Sequence, residues 1–364
     1  MHIVFRVDAS HQAGAGHIMR CLTLADALRA TGAICRFVSR EHLGNLNALV
    51  QARGYDVISL PTSSLMTSED AQPYAEWLGA TWQNDAEQTL LAIREYTRPH
   101  WVVVDHYALD EKWENAIKGD CERILVIDDL ANRLHTADIV IDQTFGRQPE
   151  DYRELVPQNC EIRCGIENVL LRPEFDEWRP ASLARRTPGT FKKILVSLGG
   201  VDKDDISRQI LLALDQCGLP TDIEVCVVLG QSSPWIAEMR QLIKTLHYKV
   251  ELKVAVNNMA ELLAGCDLAI GAAGTSAWER CSLGVPAIML VLADNQRGIA
   301  ARLSATGAAQ LVRLGPDLQR ELIAKIQGLI TMPSALQRMS ALAAALVPCS
   351  GATLLARHMA GAWV

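Results

Sequence analysis

Short runs of apolar residues alternate along the chain with longer segments whose apolar residues recur at helical spacing. In the first half, the runs typical of strands are residues 2–7, 34–38, 55–60, 101–105, 123–128 and 138–142. In the second half, they are residues 193–198, 223–229, 250–254, 267–270, 286–292 and 309–313. Apolar strands separated by amphipathic helices form parallel sheets with helices on both faces. The pattern therefore predicts an α/β fold with two parallel sheets.

The periodicity breaks between these two series of strands. Pro180, Pro188 and Gly189 interrupt it, and basic residues cluster around them. Because such stretches connect domains, we predict a first domain at 1–172, a linker at 173–192 and a second domain at 193–340. The tail is rich in Ala and Leu at helical spacing, and we expect residues 341–364 to form a helix that packs at the domain junction.

Composition excludes several classes of protein. A length of 364 residues suits two domains, and 49% hydrophobic with 21% charged residues is typical of globular chains. A net charge of −7 argues against a general nucleic-acid binder. The ten cysteines show no CxxC spacing and the N-terminus shows no signal segment, which predicts reduced thiols and a cytoplasmic protein. The apolar runs are shorter than the ~20 residues that span a bilayer, so no membrane partner is expected.

A glycine-rich turn with a histidine follows the first predicted strand. Gly14 and Gly16 allow close approach of a ligand, and the helix that starts there offers unpaired N–H groups to anionic oxygens. His17, at the start of that helix, is expected to be biased toward its neutral form and to act as a general base, although it could simply cap the helix. Met19 stands where the dinucleotide fingerprint requires Gly or Ala, so no nicotinamide cofactor is expected.

Further polar residues follow predicted strands, where open parallel sheets bind their ligands. In the first half they are Asp8, the triplet Asp105-His106-Tyr107, and the pairs Asp128-Asp129 and Asp142-Gln143. His106 is either a second candidate base or a hydrogen-bonded structural residue. Asp128 and Asp129 could orient a catalytic group, bind a metal or cap a helix.

The segment 271–279 is the richest in the second half. Gly274, Thr275 and Ser276 could donate hydrogen bonds to a pyrophosphate, and Glu279 could accept hydrogen bonds from ribose hydroxyls. Ser276 with Glu279 also fits a capping box, so the segment alone does not decide between a ligand site and a helix cap. The pair Gly199-Gly200 after a strand is a common turn.

Six motifs occur in order along residues 1–315: 5–8, 14–20, 104–107, 164–165 with 171–175, 198–202, and 271–279 with 295–296. In this order they resemble the UDP-2,4-diacetamido-2,4,6-trideoxy-β-L-altropyranose hydrolases of pseudaminic acid biosynthesis. The resemblance implies a GT-B fold, with two Rossmann-like domains whose parallel sheets face an interdomain cleft.

The resemblance also implies roles for particular residues. It places the catalytic base at His17 and UDP at Gly199, Gly200, Gly274, Thr275, Ser276 and Glu279. Around the sugar it places Tyr107, Asn295 and Gln296, and the motifs add Asp8, Gly14, Gly16 and Arg20 as substrate-binding residues. Val201 stands where many relatives carry Thr, and Ala273 where they often carry Gly, so a hydroxyl contact with phosphate is lost at position 201.

The implied reaction is hydrolysis of the UDP-sugar, without cofactor or metal. His17 would activate a water that displaces UDP from the anomeric carbon with inversion, and Arg20 would help to hold the charge of the leaving group. One alternative is a GT-B glycosyltransferase that passes the sugar from UDP to an acceptor hydroxyl. The other is a noncatalytic UDP-sugar-binding subunit. Residue types do not predict the sugar stereochemistry or the oligomeric state.

Overall fold

Two parallel sheets organise the chain in the computed structural model, which describes residues 1–62, 74–186, 191–199, 201–220, 222–293, 296–347 and 351–361. The chain divides into one unit of Met1–Arg172 with Ser350–Val364 and a second of Pro173–Cys349. Each predicted apolar run is a strand, so the predicted two-sheet α/β fold is confirmed.

The first unit contains a seven-stranded parallel sheet of order β3-β2-β1-β4-β5-β6-β7. Its strands are β1 (His2–Val7), β2 (Ile34–Arg40), β3 (Asp56–Leu60), β4 (Trp101–Asp105), β5 (Arg123–Ile127), β6 (Ile139–Asp142) and β7 (Glu161–Cys164). Its helices before residue 173 are α1 (Gly16–Ala30), α2 (Asn47–Ala52), α3 (Trp82–Arg94) and α4 (Glu111–Ile117). Strand β7 was not predicted, because its four residues alternate polar and apolar at the sheet edge and show no apolar run.

The second unit contains a six-stranded parallel sheet of order β10-β9-β8-β11-β12-β13. Its strands are β8 (Lys193–Ser197), β9 (Glu224–Leu229), β10 (Lys249–Val254), β11 (Leu268–Ala272), β12 (Ala287–Leu290) and β13 (Ala309–Val312). Its helices are α5 (Pro173–Arg186), α6 (Ile206–Gln216), α7 (Ile236–Leu242), α8 (Met259–Ala264), α9 (Ser276–Ser282), α10 (Arg297–Thr306), α11 (Leu318–Thr331) and α12 (Pro333–Leu346).

Each sheet has one place where the chain order reverses. In the first unit it lies between β1 and β4, and in the second between β8 and β11. At such a switch point the connections leaving the two strands run to opposite faces, which opens a crevice at the carboxyl ends. The segments that follow β1 and β4, and those that follow β8 and β11, carry most of the predicted site residues.

The predicted linker is a helix over most of its length. Residues 173–186 form α5, which continues through Pro180 even though proline removes one helical hydrogen bond. Tertiary contacts compensate, since Ser182 donates to the Leu283 carbonyl at 2.7 Å and Arg186 donates to the Gly284 carbonyl at 2.8 Å. The prediction of a linker at 173–186 was therefore wrong, and residues 187–190 lie outside the described part of the chain.

The predicted C-terminal helix is divided between the two units. Helix α12 packs on α5 and α9 in the second unit, whereas α13 (Gly351–Gly361) packs on α1 in the first. Ala352, Leu355, Ala356 and Met359 of α13 join the core that covers one face of the first sheet. The boundary of 340/341 and the single terminal helix were thus incorrect.

The stretch Ser334–Gly361 is long and apolar enough, by length and composition alone, to cross a membrane. In the structure, however, 53% of the apolar 18-residue segment within this stretch is buried. Its apolar side chains are used in packing against α1, α5 and α9, which is typical of core helices. The nine cysteines that the structure describes are free thiols, and all except Cys160 are buried.

Helix α13 offers a test of this packing. Met359 is fully buried against the first-unit core, so Met359→Ala should lower the free energy of unfolding by about 2–5 kcal/mol. Leu354→Ala is the matched control, because Leu354 lies on the same helix and is 53% exposed. Urea unfolding followed by circular dichroism would measure both, and equal effects would contradict the packing described here.

Candidate active site and nucleotide site

His17 lies at the switch point of the first sheet, held there by a tight turn. Gly14 has a φ of +76° and its N–H donates to the Ser10 carbonyl at 2.8 Å, which folds the loop back before α1 begins. Side chains other than glycine rarely adopt this φ. The turn places His17 as the second residue of α1, and its side chain is only 11% exposed.

The imidazole of His17 pairs with the carboxylate of Asp105. The distance from Nδ1 to Asp105 Oδ1 is 2.5 Å, and Asp105, the last residue of β4, is fully buried. A carboxylate only accepts hydrogen bonds, so Nδ1 is the nitrogen that carries the proton in the neutral ring. Nε2 is then left with a lone pair that can accept a proton, as a general base requires.

The direct partner of the imidazole is Asp105, on a strand 88 residues further along the chain, which the position of His17 at the start of α1 does not reveal. An aspartate at the end of a buried strand could be recognised in the sequence as a candidate site residue. Its contact with His17 could not, because that contact depends on the pairing of β1 with β4.

Arg20 holds the Asp105 carboxylate ionised. Its Nε and Nη2 donate to the two oxygens of Asp105, each at 2.6 Å, and its Nη1 donates to Asp129 at 2.6 Å. Burial alone would raise the pKa of Asp105, but the charge of Arg20 and the hydrogen bonds from Arg20 and His17 outweigh it and hold the pKa well below its ordinary value.

Arg20 therefore has its charge compensated inside the first unit. It is 8% exposed and its charge is paired with two carboxylates, which raise its pKa against the opposing effect of burial. It is a central member of the network His17–Asp105–Arg20–Asp129, and its expected contact with the substrate stays a prediction.

Tyr107 closes this network on the side of the imidazole. Its hydroxyl donates to Asp129 at 2.8 Å, and its ring meets the His17 ring edge-on with centroids 4.7 Å apart. Burial and Asp129 raise the pKa of Tyr107, so its hydroxyl stays protonated. The rings of Tyr74 and Trp77 lie 5.3 and 5.9 Å from that of Tyr107 and extend an aromatic wall away from His17.

A cavity of about 290 Å³ adjoins the aromatic wall. Tyr74 and Tyr107 line it together with polar side chains that include Lys112, Asn132 and Arg133. Aromatic faces beside amide and cationic groups provide both the apolar and the hydrogen-bonding contacts that a small polar ligand needs.

Asp8 belongs to the interior of the first unit. It is 2% exposed and accepts two hydrogen bonds from Arg6, at 2.7 and 2.9 Å, and one from the Arg40 N–H at 2.7 Å. Burial would raise the pKa of Asp8, but Arg6, His106 and His42 hold it well below its ordinary value. Its carboxylate is thus occupied inside the protein, and the expected substrate contact is not supported.

His106 is a structural histidine, the alternative left open by its sequence. It is 5% exposed, its Nδ1 accepts the Ala108 N–H at 3.1 Å, and its Nε2 lies 3.4 Å from Asp8. Burial lowers the pKa of His106 despite Asp8.

Asp128 is engaged by Arg133, Tyr152 and the Ala131 N–H. These contacts do not support the possibility that Asp128 binds a metal ion. Within the ranges that the structure describes, no group of three or more His, Cys, Asp and Glu side chains could hold a metal ion.

The second-unit candidates meet at the switch point between β8 and β11. Gly199, with a φ of +98°, follows β8, and Gly274 to Ser276 follow β11. Gln296 lies beside this turn, since a Cβ added at Gly274 would be 3.5 Å from its Nε2. Gly200 and Asn295, which were also predicted here, lie outside the described residues.

Ser276 and Glu279 do not form a capping box, the alternative that their spacing left open. Thr275, the N-cap of α9, makes no side-chain capping hydrogen bond, and the Ser276 hydroxyl accepts from Arg280 Nη1 at 3.2 Å. Ser276 and Glu279 instead line a cavity of about 30 Å³ together with Met259. Sequence reasoning missed Met259, at the start of α8, and Arg280, because neither stands in a recognisable motif.

The second unit is similar in sequence to a known domain family, and the chain is similar in fold to solved structures. Residues 193–348 match the glycosyltransferase family 28 C-terminal domain. Among solved structures, the chain is similar to MurG of Acinetobacter baumannii, with a TM-score of 0.71 at 14% identity over 99% of both chains. It is also similar to the UDP-GlcNAc 2-epimerase of Neisseria meningitidis, with a TM-score of 0.63 at 13% identity over 99% of this chain and 100% of that one. The fold is therefore GT-B, as predicted.

Curated relatives are distant. An uncharacterized protein of Methanocaldococcus jannaschii is 25% identical over 82% of this chain, and the match spans only 57% of that protein. The UDP-2,4-diacetamido-2,4,6-trideoxy-β-L-altropyranose hydrolase of Campylobacter jejuni is 26% identical, covering 72% of this chain and 81% of that enzyme. The spore coat polysaccharide biosynthesis protein SpsG of Bacillus subtilis is 26% identical, covering 86% and 84%.

Removing the Asp105 charge tests the buried network. Asp105→Asn should lower the free energy of unfolding by about 3–5 kcal/mol at neutral pH, because Arg20 loses a buried partner. The folded pKa of Asp105 lies below the unfolded value of about 3.9, so its contribution is complete above that pH and is lost as pH falls toward the folded pKa. The difference between wild type and variant should therefore shrink in acid.

The control is Asp120→Asn, which breaks an exposed pair with Arg94. Its effect should stay below about 1 kcal/mol. Urea titrations across the acid range would measure both variants. A difference between wild type and Asp105→Asn that is small, or that grows as pH falls, would contradict the network.

Proposed function

We propose that the protein hydrolyses a UDP-linked amino sugar, releasing UDP by attack of water on the anomeric carbon. The observation that carries the proposal is the contact between His17 and Asp105, which leaves Nε2 of His17 as a proton acceptor. The specific substrate proposed is UDP-2,4-diacetamido-2,4,6-trideoxy-β-L-altropyranose, on the strength of the Campylobacter jejuni relative and the ordered motifs.

The second unit is assigned to the nucleotide. The match of residues 193–348 to a glycosyltransferase C-terminal domain and the UDP-related names of distant relatives support this assignment. Glu279 is proposed to accept hydrogen bonds from the ribose hydroxyls, while Gly199, Gly274, Thr275 and Ser276 face the diphosphate. Gly200 is proposed to join them, and Gln296, with Asn295, to contact the sugar.

In the proposed reaction, Nε2 of His17 takes a proton from a water molecule while the water oxygen bonds to the anomeric carbon. The bond from that carbon to the UDP oxygen breaks, its electron pair leaves on UDP, and the sugar is inverted. Asp105 stabilises the imidazolium that forms, because its buried carboxylate already accepts the Nδ1 proton. General-base assistance of this kind contributes about 10²–10⁴-fold to the rate.

The residues around His17 then divide into two groups. Tyr107 and the aromatic wall are proposed to border the sugar, with Gly14 and Gly16 allowing its close approach. Arg20 and Asp8, with their charges paired inside the protein, are proposed to position other groups and not to touch the substrate.

A glycosyltransferase is the second candidate. The same base could deprotonate an acceptor hydroxyl, and the cavity of about 290 Å³ beside Tyr107 has room for part of an acceptor. The family 28 match and the fold of MurG favour this alternative. The two reactions differ in whether an acceptor is required, and a noncatalytic UDP-sugar binder would show no turnover at all.

Acceptor-free incubation with UDP-amino sugars separates these candidates. We expect the purified wild-type protein to release UDP, and His17→Asn to lower that rate by about 10²–10⁴-fold because the proton acceptor is lost. UDP affinity, measured by calorimetric titration, should change by no more than a few-fold.

His247→Asn is the control, because His247 is a surface histidine of the second unit and should leave the rate unchanged. UDP release that needs an added acceptor would favour the transferase. A His17→Asn variant that keeps most of its rate, or that loses UDP affinity in parallel with rate, would contradict the assigned base.

A further inference from the structure

Arg280 is a buried cation without an anionic partner among the residues that the structure describes. It is 3% exposed, its Nη2 donates to the Ala272 carbonyl at 2.5 Å and its Nη1 donates to Ser276 Oγ at 3.2 Å. Its Nε is buried without a hydrogen-bond partner. Among the residues that the structure describes, no carboxylate forms an ion pair with it, and neighbouring Glu279 contributes only a longer-range attraction.

This arrangement differs from that of the buried arginines in the first unit. Arg6 and Arg40 share Asp85, and Arg20 pairs with Asp105 and Asp129. A cation taken out of water without a counter-charge costs several kcal/mol. Burial lowers the pKa of Arg280, as expected for a charge whose compensation is incomplete.

The guanidinium lies directly beneath the turn that connects β11 to α9. Its two hydrogen bonds join the last residue of β11 to the first residue of α9. A Cβ added at Gly271 would come within 2.8 Å of Nη1, so the backbone of β11 approaches the guanidinium closely. The cavity beside it, of about 30 Å³, holds about one water and is too small for a phosphate group.

We propose that Arg280 is a positioning residue whose charge is compensated by the diphosphate of a bound nucleotide lying on the other side of this turn. The inference rests on the proposed assignment of UDP to the second unit. Arg280 does not touch the ligand: it attracts the diphosphate through the turn and holds Ser276 in place.

A purely structural role for Arg280 makes a different prediction. If it only stabilises the turn, its loss should lower the affinities for uridine, UMP and UDP by similar factors. If its charge matters, the loss should increase with the number of phosphate groups, since Coulomb attraction scales with ligand charge.

The test is calorimetric titration of the full chain with uridine, UMP and UDP. Arg280→Met keeps an unbranched side chain but removes the charge. It should lower the affinity for UDP by about tenfold and change the affinity for uridine by no more than about twofold. Arg280→Lys keeps the charge and should retain most of the preference for UDP. Circular dichroism without ligand checks that Arg280→Met is folded, so that its loss of UDP affinity reports on the charge and not on unfolding.

The matched control is Arg186→Met. Arg186 is also a buried arginine of the second unit, but it donates to backbone carbonyls that include Gly284 and Leu263, near the opposite end of α9. Its loss should affect the three ligands equally. Equal losses of affinity for uridine and UDP in Arg280→Met, or no loss of affinity for UDP, would overturn the inference. A wild-type chain that is folded but does not bind UDP would overturn the proposed nucleotide site itself.

Discussion

The hydrogen bond between His17 and Asp105 is the interaction on which the candidate active site depends. Asp105 is fully buried, and it stays ionised because of the charge of Arg20 and the hydrogen bonds from Arg20 and His17. Arg20 in turn is held by Asp129, which also accepts from Tyr107. One buried carboxylate thereby links His17 to Arg20, and through Arg20 and Asp129 to Tyr107.

The two units treat buried charge differently. In the first unit, each of the buried cations Arg6, Arg20 and Arg40 is paired with a carboxylate, which fixes the geometry before any ligand arrives. In the second unit, the hydrogen bonds of Arg280 within the described part of the chain go to neutral oxygens. A prearranged base in one unit and an uncompensated cation in the other correspond to the two demands of the proposed reaction, activation of water and binding of a diphosphate.

Much of the fold could be predicted because apolar runs reflect burial of both faces of a parallel sheet. The exceptions have physical causes: β7 is an edge strand without an apolar run, and α5 tolerates Pro180 because tertiary contacts hold it. His17 could be singled out from its glycine-rich turn. Its partner Asp105, and the internal use of Arg20, could not, because they depend on which strands become neighbours. The role of Arg280 could not be predicted, because it stands in no recognisable motif and is inferred from the absence of a carboxylate partner among the described residues.

The central claim, that His17 directs water to the anomeric carbon, is tested most directly by hydrolysis in ¹⁸O-water followed by mass spectrometry of both products. The account predicts that the label enters the sugar and is absent from UDP, with a rate that survives a chelator. Label in UDP would mean that water attacks phosphorus, a reaction that divalent ions usually assist. That result would contradict the role assigned to His17 and Asp105.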